Sequence, residues 1–424
     1  MSSSPSRAAL LLLGLLTLLN VLNFVDRLLI ASLAPLLIDE LGLTRAQIGL
    51  LSGFAFVLVF TVAGMFLGGL ADRVNRPRLM AAGLSAWSLA TALSGTAQRF
   101  AHLVAARTLV GVGEATLTPA ALSMLADVLP RGWLARAAGI YYAGVPVGAG
   151  LSLVIAGWLA PRYGWRFCFW VLGAAGLVMS VLLLALPDPR SRRGANPEVP
   201  AVLAAHRHAW RHEGGDTIVE LARTLRAAPA LPMTIAGGAL VTFAAASAAH
   251  LPTWLVQERG FTFRHASYLS GVIYIVAGLC GNVLGGWFAD RCQRRWSGGR
   301  VWSMVITVLA CAPFGVGFLL LPAGSPLFYT GWFVSAMGTT LWYGPLFAVA
   351  QDLAPTRLRS TSIAFLILAI NVFGVGLGPW ITGVIGDARS LTAGLLASLA
   401  VGSLSTVPFA LAARRYDGDR ARVP

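Results

Sequence analysis

Four ionisable side chains stand inside otherwise apolar stretches of this chain. Asp26 and Arg27 interrupt the run that starts at Ala8, and Arg107 and Glu114 interrupt one that starts near residue 101. A charge at the centre of a membrane helix costs roughly 2.5–3.5 kcal/mol on insertion scales, so each needs a partner, water or a task. Asn20, Asn23 and Arg27 are spaced i, i+3, i+7 and fall on one stripe of a helix, with Asp26 flanking it. That stripe reads either as a polar strip on a cavity wall or as a helix-packing cluster. Arg107 and Glu114 share a helix face two turns apart, about 10 Å along the axis, too far for a direct bond. Each must look across to another helix, and the Asn/Asp/Arg stripe is the natural counterpart. Glu114 lies between Gly113 and Ala115, where small neighbours let another backbone come close. Burial and a nearby arginine pull a carboxylate's proton affinity in opposite directions. A carboxylate balanced that way can carry a proton.

The elements that position these groups follow from composition. The 424 residues are 57% hydrophobic and 12% charged, and all 32 basic residues are arginine. Soluble domains carry about 25% charge, so the chain is a polytopic membrane protein. A net charge of +15 would suggest nucleic acid in a soluble protein. Here the arginines punctuate apolar runs, and no nucleic-acid partner is expected. Residues 8–37 are too long for a signal-peptide core and form a first span. Further runs of roughly 20 residues lie at 46–70, 79–98, 101–126, 136–160 and 165–186, and then at 230–256, 266–289, 301–321, 326–351, 360–386 and 391–413. The expected organisation is a six-helix half over residues 1–186, a central loop over 187–229 with an amphipathic piece at 217–226, and a second half with a short tail over 230–424. With both termini inside, 23 of the 32 arginines fall on the cytoplasmic side and seven outside, which sets the orientation by the positive-inside rule.

The halves repeat one another. Gly68-Gly-Leu-Ala-Asp72-Arg73-Val-Asn-Arg76 is echoed by Gly286-Trp-Phe-Ala-Asp290-Arg291-Cys-Gln-Arg294, 218 residues later. Asp127-Val-Leu-Pro130 is echoed by Asp352-Leu-Ala-Pro355, with the prolines 225 apart. Parallel repeats of this kind place a substrate cavity between the halves near the midplane. Asp72, Arg73, Arg76, Asp290 and Arg291 close the ends of equivalent spans, and a gating role follows: the aspartates receive helix-end amides and arginines of a neighbouring span. Asn75 suits a tight left-handed reversal.

The remaining marks are weaker. Cys168, Cys280, Cys292 and Cys311 form no CxxC pair and read as core-filling thiols. The glycines around Pro146 (Gly144, Gly148, Gly150) suit tight helix packing and a bend. No strand precedes any Gly-x-Gly, so none is a phosphate loop. No Ser-His-Asp set and no metal cluster is present, so no enzyme, metal or cofactor is expected. The second half offers His250 near an outer end, Asn282, Asn371 and the Trp342-Tyr343 pair. A cavity charged on one side and apolar on the other suits an amphiphile, polar head on the first half and tail on the second.

These residues carry a family resemblance. The duplicated Gly-x-x-x-Asp-Arg-x-x-Arg in a chain of six plus six spans resembles the major facilitator superfamily. Asn23-Phe-Val-Asp26-Arg27, Arg107-Thr-Leu-Val-Gly-Val-Gly-Glu114-Ala115 and Tyr141-Tyr-Ala-Gly-Val-Pro146-Val-Gly148-Ala-Gly150 resemble its spinster family. The specific motifs cover the first 186 residues; beyond them the likeness is architectural. The resemblance implies an all-α major facilitator fold with twelve transmembrane helices in two six-helix halves. It also implies a proton-coupled secondary transporter of sphingosine-type or lysophospholipid substrates, working by alternating access. Carried over by position, Glu114, Asp26, Arg27 and Asn23 serve coupling or substrate, Arg107 is their partner, and Asp72 and Arg73 gate. The chain departs from the pattern at Asn75, where the superfamily has glycine, and at Pro77. The organic-anion symporter branch, with a carboxylate on Arg27 or Arg107, is the alternative. A monomer in the inner membrane of a bacterium, exchanging protons, substrate and contacts with membrane lipids, is expected.

Overall fold

The computed structural model describes residues 5–71, 74–192, 214–355 and 358–422, and their regular structure is helical. The first half contains α1 (Arg7–Leu41), α2 (Arg45–Ser52, resumed as Phe54–Ala71), α3 (Arg76–Ser94), α4 (Phe100–Glu114, resumed as Leu117–Val128), α5 (Leu134–Tyr163) and α6 (Trp165–Leu184). The second contains α7 (Ala230–Gln257), α8 (Phe263–Gln293), α9 (Gly299–Leu320), α10 (Pro326–Leu341, resumed as Tyr343–Asp352), α11 (Thr361–Ala388) and α12 (Leu391–Leu404, resumed as Thr406–Arg422). Each apolar run read from the sequence is occupied by one of these helices. A further helix at Gly214–Ala227 covers the expected amphipathic piece.

Among the described residues, eleven helices are long and apolar enough to cross a membrane. The twelfth, α3, falls short because it opens Arg-Pro-Arg and buries Ser88, Thr91 and Ser94. It tolerates that polarity by packing on α4 and α6 instead of facing lipid.

Between helices in a bilayer there is little hydrophobic drive, so close packing of small residues holds the bundle. Gly148 of α5 shows this: a Cβ there would sit 2.5 Å from the Val21 carbonyl oxygen of α1. Within the halves α1 packs on α5, α3 on α6, α7 on α11 and α9 on α12. Between the halves α2 packs on α11 and α5 on α8. Adding or subtracting six converts one interface pair into the other, so the duplication is built into the contact pattern.

The two ends of the molecule differ. At the end away from the arginine-rich turns the halves are tied together. Asp387 accepts from the Arg45 and Ala46 amides at 2.9 Å, and the Arg45 guanidinium reaches the Gly386 carbonyl and Gln257. Midway down, Asn371 donates to Thr61 at 3.2 Å from a π-helical stretch of α11, Ile370–Gly376. Toward the arginine-rich end, among the described residues, open space surrounds three glycines. Gly64, Gly139 and Gly286 have nothing within 4 Å of where a Cβ would stand. There Gly281 and Gly285 of α8 pack on α10 of their own half.

Candidate functional site

The pair read from the first and fourth spans meets in space. Arg27 donates through Nη2 and Nε to Glu114 Oε2 at 2.8 and 3.1 Å. The Glu114 side chain is wholly enclosed, whereas that of Arg27 keeps 22% of its surface open. The Arg27 guanidinium also lies over three rings, with Phe24, Phe56 and Phe60 centroids 4.8, 4.7 and 4.6 Å away. Each such contact contributes about 0.5–2 kcal/mol, more where water is excluded. Arg27 thus has one carboxylate partner, an aromatic cage and one open side.

Arg107 does not join Glu114, as two helical turns of separation require. It reaches back to α1, donating to the Arg27 carbonyl at 2.7 Å and, at 3.4 Å, to the carbonyl of Asp26. A guanidinium is well suited to several acceptors at once, and here it clamps the α1 backbone beside both charged side chains. Asp26 takes a 2.5 Å hydrogen bond from Thr91 of α3. Asp26 Oδ1, Glu114 Oε1, Arg107 Nε and Asn23 Nδ2 are buried without a hydrogen-bond partner among the described residues. Asn23 flanks the Glu114 carboxylate yet falls short of bonding it.

Backbone geometry makes the cluster possible. A Cβ at Gly113 would come within 2.7 Å of the Gly83 carbonyl, so α3 touches α4 just where Glu114 must turn inward. The first segment of α4 ends at Glu114, with Thr116 donating to the freed Gly113 carbonyl.

The proposed stripe on α1 divides. Asn20 donates to the Tyr141 carbonyl of α5 at 2.8 Å and serves packing, while Arg27 faces the gap. The Trp342-Tyr343 pair divides similarly: Trp342 is buried and Tyr343 is exposed, within electrostatic reach of Arg27 and of Tyr142 across the gap. Thr91, Phe56 and Phe60 escape a sequence reading, since each meets the cluster only through helices distant in the chain, whereas Phe24 lies one turn before Arg27 on α1.

Of the expected gating residues, Asp72 and Arg73 lie outside the described residues. Arg76 is among the described residues. It begins α3, fully buried, and pairs with Asp127 and Asp188, each at 2.6 Å, with Ser123 at 3.0 Å. Burial would raise the Asp188 carboxyl, but hydrogen bonds from Arg76 hold it below the usual range. Asn75 adopts φ −65°, not a left-handed turn, and caps α3 by accepting from the Arg78 amide. Asp290 pairs with Arg300 at 3.1 Å, and Arg300 with Asp352 at 2.8 Å, which also accepts from Tyr416. Arg291 is exposed. The Asp127 and Asp352 echoes therefore anchor matching intra-half networks. His250, expected near the interface, is fully buried and bonded to the Pro379 carbonyl of α11 at 2.7 Å. Among the described residues no group of His, Cys, Asp and Glu could hold a metal.

Comparison with known proteins agrees with this architecture. A family model described as Major Facilitator Superfamily matches residues 16–379. An "MFS-type efflux pump" of Mycolicibacterium smegmatis is 29% identical over 97% of this chain and 94% of its own. The sphingosine-1-phosphate transporter SPNS2 of Mus musculus is 26% identical over 90% of this chain and 69% of its own. A crystal structure of a bacterial homologue to the human lysosomal transporter spinster, inward-facing and occupied, superposes with TM-score 0.81 at 23% identity, covering 98% of this chain and 99% of that one. The twelve-helix duplicated fold and the family match together establish that this chain belongs to the Major Facilitator Superfamily.

Proposed function

We propose that the chain is a proton-coupled secondary transporter of the spinster branch that moves an amphiphilic lipid of the sphingosine or lysophospholipid type. The observation that carries this reading is the Arg27–Glu114 pair, enclosed at mid-membrane with only the arginine open to the gap. A zwitterionic head can exchange that single pair for two: its phosphate on Arg27 and its ammonium on Glu114. A proton on Glu114 removes the second partner, so proton and substrate compete and the cycle is an exchange. Linkage makes the competition reciprocal. Arg107 clamps α1 and Thr91 holds Asp26, so a change of charge at the pair is felt by the whole first helix.

In this reading the arginine-rich end is cytoplasmic, the termini lie inside, the membrane is the bacterial inner membrane and the transporter acts as a monomer. The structure then corresponds to an inward-facing state, closed outside by Arg45 and Asp387. Gating falls to Asp72, Arg73, Asp290 and Arg291, steadied by the Arg76 and Arg300 networks, and the two halves rock against each other. The sphingosine-1-phosphate named for SPNS2 and the efflux named for the mycobacterial relative support the substrate class and direction.

The test is flux into proteoliposomes under an imposed proton gradient with a panel of lysolipids, alongside thermal shifts of purified protein. Gradient-driven lysophospholipid movement and a matching shift are expected. A shift with small carboxylates alone would overturn the lipid assignment in favour of an organic-anion symporter.

A further inference from the structure

α8 packs into the bundle through Gly271 and Gly278 against α5 and through Gly281 and Gly285 against α10. The opposite face is uncovered. Val276, Val283, Trp287, Arg291 and Arg294 follow one another at steps of 7, 4, 4 and 3. Those steps make eighteen residues in five turns, so the five side chains form one straight stripe. The stripe lies about 170° around the helix from the packed glycines. All five residues are exposed, and Val283 and Trp287 keep 72% and 62% of their surface open. Turned away from its packed neighbours, the stripe faces the bilayer. It presents aliphatic side chains first, then an indole, then guanidiniums, which is the order of a leaflet from chains to phosphate.

The stripe ends in a wider basic patch. Arg295 and Trp296 follow in the next turn and are exposed. That turn is fastened to α12: Gly298 adopts φ 62° and lies so close that a Cβ would strike the Ala413 carbonyl, and Ser297 donates to Asp417. Arg414 and Arg415, next to Ala413, are exposed as well. Five guanidiniums from helix ends some 120 residues apart are thus gathered at one corner of the second half. The neighbouring carboxylates are engaged elsewhere: Asp290 and Asp352 hold Arg300, and Asp419 accepts from the Ala230 amide. None of the five arginines makes a hydrogen bond or an ion pair among the described residues. Five like charges at one corner repel one another unless an anion sits among them.

We propose that this corner binds an anionic phospholipid of the leaflet at the arginine-rich end, with its phosphate among the five guanidiniums and its chains along Val276 and Val283. Trp287 then stands at the glycerol level. A guanidinium suits the task because its fork meets two phosphate oxygens at once. Charge complementarity selects this occupant: a zwitterionic head brings its own ammonium against the arginines, and a soluble phosphate has no chains for the stripe. The bound lipid fastens the ends of α8 and α12 to one another, beside the Asp290–Arg300 pair. It is a resident of the site, distinct from any substrate carried between the halves.

The test measures binding to the purified full chain of phosphatidylglycerol and of phosphatidylcholine with identical chains, with inorganic phosphate as competitor. Wild type is expected to prefer phosphatidylglycerol and to release little of it to inorganic phosphate. Each arginine beside an anionic surface is worth about fivefold in affinity. Arg294→Gln with Arg295→Gln, and separately Arg414→Gln with Arg415→Gln, should therefore each cut the preference roughly tenfold or more. Arg264→Gln with Arg389→Gln removes the same charge at the opposite end and should leave the preference intact. A second readout stands even where a double variant fails to fold: chain-brominated phosphatidylglycerol should quench tryptophan more than brominated phosphatidylcholine, and Trp287→Phe should abolish the excess. No preference in wild type, or an equal loss in the opposite-end control, would overturn the site. Ready displacement by inorganic phosphate with no excess quenching would make it a soluble-anion site and overturn the lipid assignment.

Discussion

Arg27 is held by one carboxylate and three rings, and that combination decides what its substitution does. Arg27→Lys keeps the charge but loses the fork on Glu114 and most of the stacking. Hydrogen bonds to charged groups contribute about 1.5–3 kcal/mol, so substrate affinity measured by thermal shift should fall roughly ten- to hundredfold. Thr91→Val removes the hydroxyl on Asp26 without changing shape. It should move the pH midpoint of transport while leaving maximal rate nearly intact; an unmoved midpoint would exclude Asp26 from the titrating unit. The four membrane charges were legible in the sequence because a charge in an apolar run stands out energetically. Their pairing was only half legible: helical spacing showed that Arg107 and Glu114 must face another helix, but not that Arg107 would take backbone carbonyls and leave Glu114 to Arg27. Thr91, Phe56 and Phe60 carried no such signal, because a threonine or phenylalanine in a membrane helix is ordinary until its neighbours are known.

At the scale of elements, small residues and terminal ion pairs hold helices in register. Gly148→Leu would drive a side chain into the α1 backbone. Overpacking costs about 1–3 kcal/mol, so a lower melting temperature and reduced monodisperse yield are expected on size exclusion. At the arginine-rich end, Asp188→Asn leaves buried Arg76 with Asp127 as its remaining carboxylate partner. Because the Asp188 carboxyl is held low in the folded protein, its stabilisation is complete above the ordinary carboxylate value. It is lost only as pH falls through the lower folded value. The variant should therefore be less stable by a constant amount, about 1.5–3 kcal/mol, across neutral pH, and should converge with wild type in acid. Helix positions were readable from hydropathy to within several residues. The end structures were not. Asn75 looked like a turn residue and is a helix cap, and Arg76, read only as a gating residue, is the buried hub of a network whose partners lie some 50 and 110 residues away.

For the whole molecule, duplication was visible in two short motifs, and the interface pairs α2–α11 and α5–α8 follow from it. Which end would be closed could not be read, since closure depends on contacts such as Arg45 to Asp387 that no repeat encodes. Asp387→Asn should loosen that end and broaden spin-label distances between α2 and α11 there, with the opposite end drawing closer in the same sample. The central claim is that Glu114 exchanges a proton for substrate beside Arg27, and its most direct measurement is paired flux in proteoliposomes: gradient-driven lysophospholipid accumulation and gradient-free exchange, for wild type and Glu114→Gln. The account predicts that the variant loses accumulation and keeps exchange only at raised substrate concentration, because a neutral side chain at this position no longer pairs the ammonium. Accumulation by Glu114→Gln that still follows the proton gradient would contradict it.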